Sequence, residues 1–137
     1  MKIKKVRGYI FCRSFMGERA PQHVQNIVIR DYCKKNQLSY LLSATEYAME
    51  NSYLMLEKVL VELKSKKIDG IVAYSLFQLP ENKKLRDKVY KKILKLKKEI
   101  HFCVEGLKIK SKKDIKKIEE IWLIKQTLPD CPKTISK

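Results

Sequence analysis

Arg13 and Arg19 flank a glycine-bearing loop that opens onto the start of a helix, an arrangement suited to holding a phosphate or carboxylate. Three of the five arginines, Arg7, Arg13 and Arg19, fall at the N-terminal end of a chain that otherwise uses lysine. Ser14 lies beside Arg13. Gln22 and Gln25 stand one helical turn apart and could read sugar hydroxyls, and His23 between them could act as a general base with Glu46 as its partner. Glu46 sits in Ser43-Ala-Thr-Glu-Tyr47, where it could move a proton or accept a hydroxyl, with Thr45 and Tyr47 beside it. Tyr74 and Ser75 end a buried apolar run, and Glu105 follows another, so Glu46 and Glu105 could form a carboxylate pair. The chemistry such a set could do is metal-free acid/base work on an anionic, hydroxyl-bearing substrate. Each residue also has a structural alternative. The arginines could pair with Glu18 or Glu46, the glutamines could lie on an exposed helix face, and the strand-end hydroxyls could be satisfied inside the fold. Cys12, next to Arg13, could be a low-pKa thiol or a packed small hydrophobe.

The elements that must position these residues follow from apolar spacing. Val6–Cys12 reads as a buried strand, and Pro21 suits the first turn of a helix with Val24, Ile27, Val28 and Tyr32 on one face. Leu38–Leu42 reads as a second strand and Ser43–Asn51 as a loop. Asn51 or Ser52 can cap a helix with Leu54, Leu56, Val59, Leu60 and Leu63 inward. Asp69-Gly70 is a turn before a third strand, Ile71–Tyr74. A lysine-rich helix spans about 82–98, followed by a fourth strand, Ile100–Val104. After a short loop, Asp114–Gln126 forms a last helix, whose Trp122 makes it a candidate dimer interface. Alternation of strand and helix with short loops implies a parallel sheet covered on both faces. The expected fold is therefore an α/β three-layer sandwich with a four-stranded, mainly parallel sheet of flavodoxin-like or resolvase-like layout. One domain is expected over residues 1–126, with a tail over 127–137. In such a sheet, ligands bind beyond the carboxyl ends of the strands, near the point where strand order reverses.

Bulk properties narrow the function classes. The chain has 137 residues, a formal net charge of +16, and 31 basic residues, of which only five are arginine. The charge suggests nucleic acid first. The dominance of lysine over arginine points instead to compositional bias, because phosphate and base recognition favour the guanidinium fork. No stretch reaches the roughly 20 apolar residues of a membrane span. The basic N-terminus leads into too short an apolar run for a signal segment, so a cytoplasmic location is expected. The four cysteines, Cys12, Cys33, Cys103 and Cys131, have no metal-knuckle spacing and are expected as free thiols. Dinucleotide, P-loop, nucleophile-elbow and zinc-deaminase motifs do not occur, and no cofactor or metal is expected.

Two family resemblances bear on the reading. The pattern over residues 7–109 resembles the catalytic domain of serine recombinases: Gly8-Tyr9 opening a strand, a Gln-bearing helix, Leu54-x-Leu56-x-x-Val59-Leu60, Ile68-Asp69-Gly70-Ile71-Val72, and Leu76-x-x-Leu79. That family's Asp-Arg within the last segment is Phe77-Gln78 here. Pro80-Glu81 replaces the basic residue that follows, and the serine after Tyr9 is Ser14, one position out of register. Without those arginines a pentavalent phosphate has little to stabilise it. The resemblance thus implies the fold but not recombination. The chain also resembles the sporadic carbohydrate cluster proteins, through Arg13-Ser-Phe-Met-Gly-Glu-Arg19-Ala-Pro-Gln22-His-Val-Gln-Asn26, Leu41-Leu-Ser-Ala-Thr-Glu-Tyr-Ala-Met49 and Asp69-Gly-Ile-Val-Ala-Tyr-Ser-Leu-Phe77. This implies a part in surface-polysaccharide biosynthesis and names no reaction.

The expectation from sequence is a carbohydrate-biosynthesis protein that acts on or binds an anionic sugar or sugar nucleotide. An isomerase or epimerase type suits a metal-free acid/base site, and nucleic acid is not expected as a partner. The alternatives are a scaffold for glycan enzymes and a degenerate resolvase-like domain that binds nucleic acid through the helix Lys83–Lys98.

Overall fold

The computed structural model describes residues 3–127. A five-stranded sheet has the order β2-β1-β3-β4-β5, with β1 Lys5–Phe11, β2 Ser39–Glu46, β3 Gly70–Ala73, β4 Glu99–Phe102 and β5 Leu107–Ile109. The first four strands run parallel and β5 pairs antiparallel with β4. The fifth strand corrects the expected count of four. It is three residues long and follows a turn at Gly106 (φ 65°), too short for alternation to show.

Helices cover both faces, as expected for a three-layer sandwich. Helix α1, Gln22–Lys35, lies on one face, where Ile29 and Cys33 pack with Val6, Ile10 and Val72. Helices α2 (Leu54–Glu62), α3 (Lys83–Leu96) and α4 (Lys112–Thr127) cover the other, around Phe11, Ile71, Val59, Ile93 and Trp122. The strand order reverses between β1 and β3, which places the switch point at Phe11 and Ala73.

Strand β2 is longer than its apolar run, and the segment Ser43–Glu46 is strand rather than loop. Arg7 pairs with Leu41 but Gly8 pairs with Ser43, so Leu42 is extruded as a bulge and is 73% exposed. The bulge brings Ser43 over Gly8, where a Cβ would stand 2.2 Å from Ser43 Oγ. A side chain there would require Ser43 to shift. Trp122, on the helix expected as a candidate interface, is fully buried against Phe77 and beneath the Arg86 guanidinium. The residues after Thr127, including most of the expected tail and Cys131, lie outside the described residues.

Candidate functional site at the strand ends

Buried polar side chains close the ends of the strands, and three of the residues singled out for chemistry, Gln25, Glu46 and Ser75, are among them. Glu46 ends β2 at 1% exposure and accepts five hydrogen bonds: from Tyr9 Oη (2.8 Å), Ser52 Oγ (3.2 Å), and the backbone N–H groups of Tyr47, Met55 and Leu56 (3.1 Å each). Two of those amides open α2, so Glu46 caps that helix from a distance. The flanking Tyr53 supplies no side-chain cap. The Glu46 carboxylate and burial together push the Tyr9 hydroxyl well above its ordinary pKa, with burial the larger cause.

Gln25 and Gln78 form a crossed clamp beneath the switch point. Gln25, fully buried, accepts from Phe11 N–H and Gln78 Nε2, and donates to the carbonyls of Phe11 and Ala20. Gln78 in turn accepts from the N–H groups of Tyr74 and Ser75. Ser75 donates to Glu105 and caps the one-turn 3₁₀ helix Leu76–Gln78, whose first N–H also binds Glu105. Glu46 and Glu105 therefore serve separate networks rather than one carboxylate pair. His23 and Gln22 are exposed on the first turn of α1, and neither is bonded to Glu46. Thr45 and Tyr74 are half-buried, and Tyr74 packs its ring against Phe15.

Beyond these clamps lies a cleft of about 550 Å³. Phe11, Phe15, Tyr53 and Phe77 give it aromatic walls; Arg13, Ser14, Arg19, Glu50, Asn51 and Glu81 give it polar groups. Of the expected ligand-contact residues, the structure gathers Arg13, Ser14 and Arg19 here. Tyr47 is exposed, and only its carbonyl takes part, accepting from Arg13 at 2.7 Å. Arg13 also donates to the Ser52 carbonyl (3.0 Å), and its guanidinium lies over the Phe11 and Tyr53 rings at 4.2 and 5.2 Å. Its fork is thus spent on joining the β1 and β2 loops. Arg19 is exposed and makes no hydrogen bond among the described residues, so it is the arginine available to a ligand.

The cleft rim is held in an uncommon conformation. Phe15 and Glu18 exchange both backbone hydrogen bonds around Met16 (φ 51°) and Gly17 (φ 80°), a two-residue hairpin with left-handed central residues. Asn51 (φ 62°) supports the opposite rim. Glu50, Asn51, Tyr53 and Glu81 were not among the residues expected to meet a ligand; Asn51 was expected as a helix cap, a position that Tyr53 takes instead. Their common mark is position, in the two loops that follow β2 and the 3₁₀ turn. Among the described residues no cluster of His, Cys, Asp or Glu could hold a metal, and no helix is long and apolar enough to cross a membrane.

No family model matches the sequence, and no curated protein matches it. Solved structures do resemble it. The N-terminal catalytic domain of TP901-1 integrase aligns with a TM-score of 0.62 at 13% identity, covering 96% of this chain and 99% of that one. A resolvase family site-specific recombinase from Streptococcus pneumoniae aligns with a TM-score of 0.63 at 11% identity, with the same coverages. This chain has the fold of resolvase-type catalytic domains.

Proposed function

We propose that this chain is a resolvase-fold domain that binds nucleic acid and does not cleave it. The observation that carries the reading is a basic stripe on that fold. Lys84, Lys88, Lys91 and Lys95 recur every three or four residues along α3, all exposed, while the nearby Asp87 is paired with Lys83 at 3.2 Å. The +16 charge and the likeness to an integrase and a recombinase domain support it. This sets aside the expectation against nucleic acid. Absence of cleavage follows from the cleft: Ser14 is exposed there, but Arg13 is committed to two carbonyls and only Arg19 remains to meet phosphoryl charge. The test is a gel shift with duplex and single-stranded oligonucleotides at 50 and 200 mM salt. Binding that weakens at least about tenfold across that range, and is lost when the four lysines become glutamine, is the expected result. No shift at 50 mM salt would overturn the reading, and a nicked product abolished by Ser14→Ala would overturn the claim of no cleavage.

A second reading is favoured by one observation in the cleft. Glu50 and Glu81 face it together with Arg19 and Ser14, and two carboxylates repel a polyanion backbone. A small hydroxyl-bearing anion suits such a lining: Arg19 for the charge, the carboxylates and Asn51 for hydroxyls, and the aromatic walls for an apolar sugar face. The volume is in the range of small-molecule sites. The resemblance to carbohydrate cluster proteins agrees with an anionic sugar or sugar nucleotide. Under this reading Glu46 and Glu105 position loops, because their oxygens are already engaged. A thermal-shift screen of sugar acids, sugar phosphates and sugar nucleotides tests it. A hit that survives the α3 lysine substitutions and disappears in Arg19→Ala would support it, and the absence of any hit would sink it.

A further inference from the structure

A second polar cluster lies on the opposite face of the sheet, away from the cleft. Tyr32, near the C-terminal end of α1, places its hydroxyl 2.7 Å from His101 Nδ1 on β4. His101 Nε2 lies 2.9 Å from Glu99 Oε1. Glu99 Oε2 is also bonded by Lys4, and lies 3.3 Å from Lys110. His101 and Glu99 are 3% and 5% exposed. A carboxylate can only accept, so Nε2 carries the proton; Nδ1 is then the acceptor and the Tyr32 hydroxyl the donor. The rings meet edge to face at 5.5 Å. The hydrogen-bond set of a neutral His101 is therefore complete.

We infer that His101 is a pH-operated latch that holds the C-terminal half of α1 on the sheet when neutral and releases it when protonated. Protonation turns Nδ1 into a donor facing the Tyr32 hydroxyl, which must rotate away from its present role. It also buries a second cation in a basic surround. Lys4 precedes β1, Lys108 on β5 and Lys110 just after it flank the site, and Glu99 is the one carboxylate among the contacts, already shared with Lys4 and Lys110. From α1 and the end of β4, the thiols of Cys33 and Cys103 lie near Tyr32 and supply no negative charge at neutral pH: burial pushes both up, to about 11 and about 12. Burial, Lys108 and Lys4 oppose the charged imidazole and Glu99 favours it; burial is the largest cause, and the balance lies below the ordinary histidine value.

The latch acts on the element that supports the cleft. Helix α1 is anchored to the sheet by polar contacts near both ends: Gln25 and Asn26, the latter accepting from Ser43 of β2, in its N-terminal half, and Tyr32 near its C-terminal end. Losing the Tyr32 contact leaves the C-terminal half without a polar anchor, held by the buried Ile29 and Cys33.

The experiment follows the His101 imidazole, one of two in the chain, so its signals can be assigned with a His101→Gln variant. Imidazole NMR across pH 4.5–8 should show His101 as the neutral Nε2–H tautomer at pH 7, with a midpoint below the ordinary histidine value of about 6.5. Amide protection factors over residues 29–35 should fall about two- to tenfold across the His101 midpoint, the loss expected for one hydrogen bond, while those of α3 stay level. Tyr32→Phe should lower α1 protection at pH 7 to the acid value and remove the step. A His101 midpoint at or above about 6.5, an Nδ1–H tautomer, or α1 protection that does not change at the midpoint would each overturn the latch.

Discussion

At the scale of single residues, the side chains that look most like catalysts are those that finish the strands. Glu46 has both oxygens occupied by a phenol, a serine and three amides, and its neighbours have few other partners. Glu46→Ala strands the Tyr9 hydroxyl and two helix-opening amides. It should cost roughly 3 kcal/mol in urea unfolding, as for other buried acceptors with several donors. A cost within the noise of surface substitutions would return Glu46 to the list of proton carriers. Glu99 makes a prediction in pH. Burial alone would raise its carboxyl, but bonds from Lys4 and His101 and their charge hold it at about 2. A depressed carboxyl contributes stability that is full above its ordinary value, roughly 4 to 4.5, and is lost as pH falls toward 2. The urea midpoint should therefore decline over that window, and Glu99→Gln should flatten the decline. The sequence picks out Glu46 and Gln25 but not their partners, because a polar residue at a strand end looks the same whether it faces a ligand or a stranded amide. Only the partners decide, and Gln25 and Gln78 are 53 positions apart.

At the scale of elements, the four parallel strands and four helices were legible because each carries its own period. The start of α3 was legible too, since Asn82 accepts from the amides of Lys84 and Leu85 as a local cap should. The start of α2 was not, because its cap is Glu46, eight residues before the helix's first residue. The extension of β2 through Ser43–Glu46 was hidden by the bulge at Leu42, which breaks alternation where it would reveal a strand. That junction carries its own test. Ser43 Oγ accepts no side chain at Gly8, and it is fixed by bonds with Asn26 and Tyr40 at 2.7 Å each. Gly8→Ala should destabilise by about 2 kcal/mol, the cost typical of overpacking. Adding Ser43→Ala should recover only part of that, since the Ser43 Cβ and Cα would still stand 3.0 and 3.1 Å from the new methyl. Full additivity of the two changes would show that the close approach does not set the register.

At the scale of the whole molecule, charge is the property that fold and packing do not explain. The chain has 31 basic and 15 acidic residues, so at least 16 cations (31 − 15) have no carboxylate to pair with. A compact body with that excess repels itself, and the repulsion is screened by salt. Thermal stability should therefore rise as salt is raised from 50 to 500 mM. The stripe on α3 makes the prediction local. Lys84–Lys88 and Lys91–Lys95 are like-charge pairs four apart, and Lys88–Lys91 three apart, each unfavourable by about 0.2–0.5 kcal/mol. Replacing the four lysines by glutamine should thus stabilise the fold at low salt, by about 1 kcal/mol in total, and the gain should shrink as salt rises. If the lysines are evenly solvated composition, four exposed lysines taken from other helices should give the same gain. A larger gain from the α3 set, together with loss of nucleic-acid binding in that set alone, would mark the stripe as a surface kept at a cost to folding because it meets a polyanion. Equal gains, with binding unchanged, would assign the charge to composition and leave the cleft as the place where this protein meets its ligand.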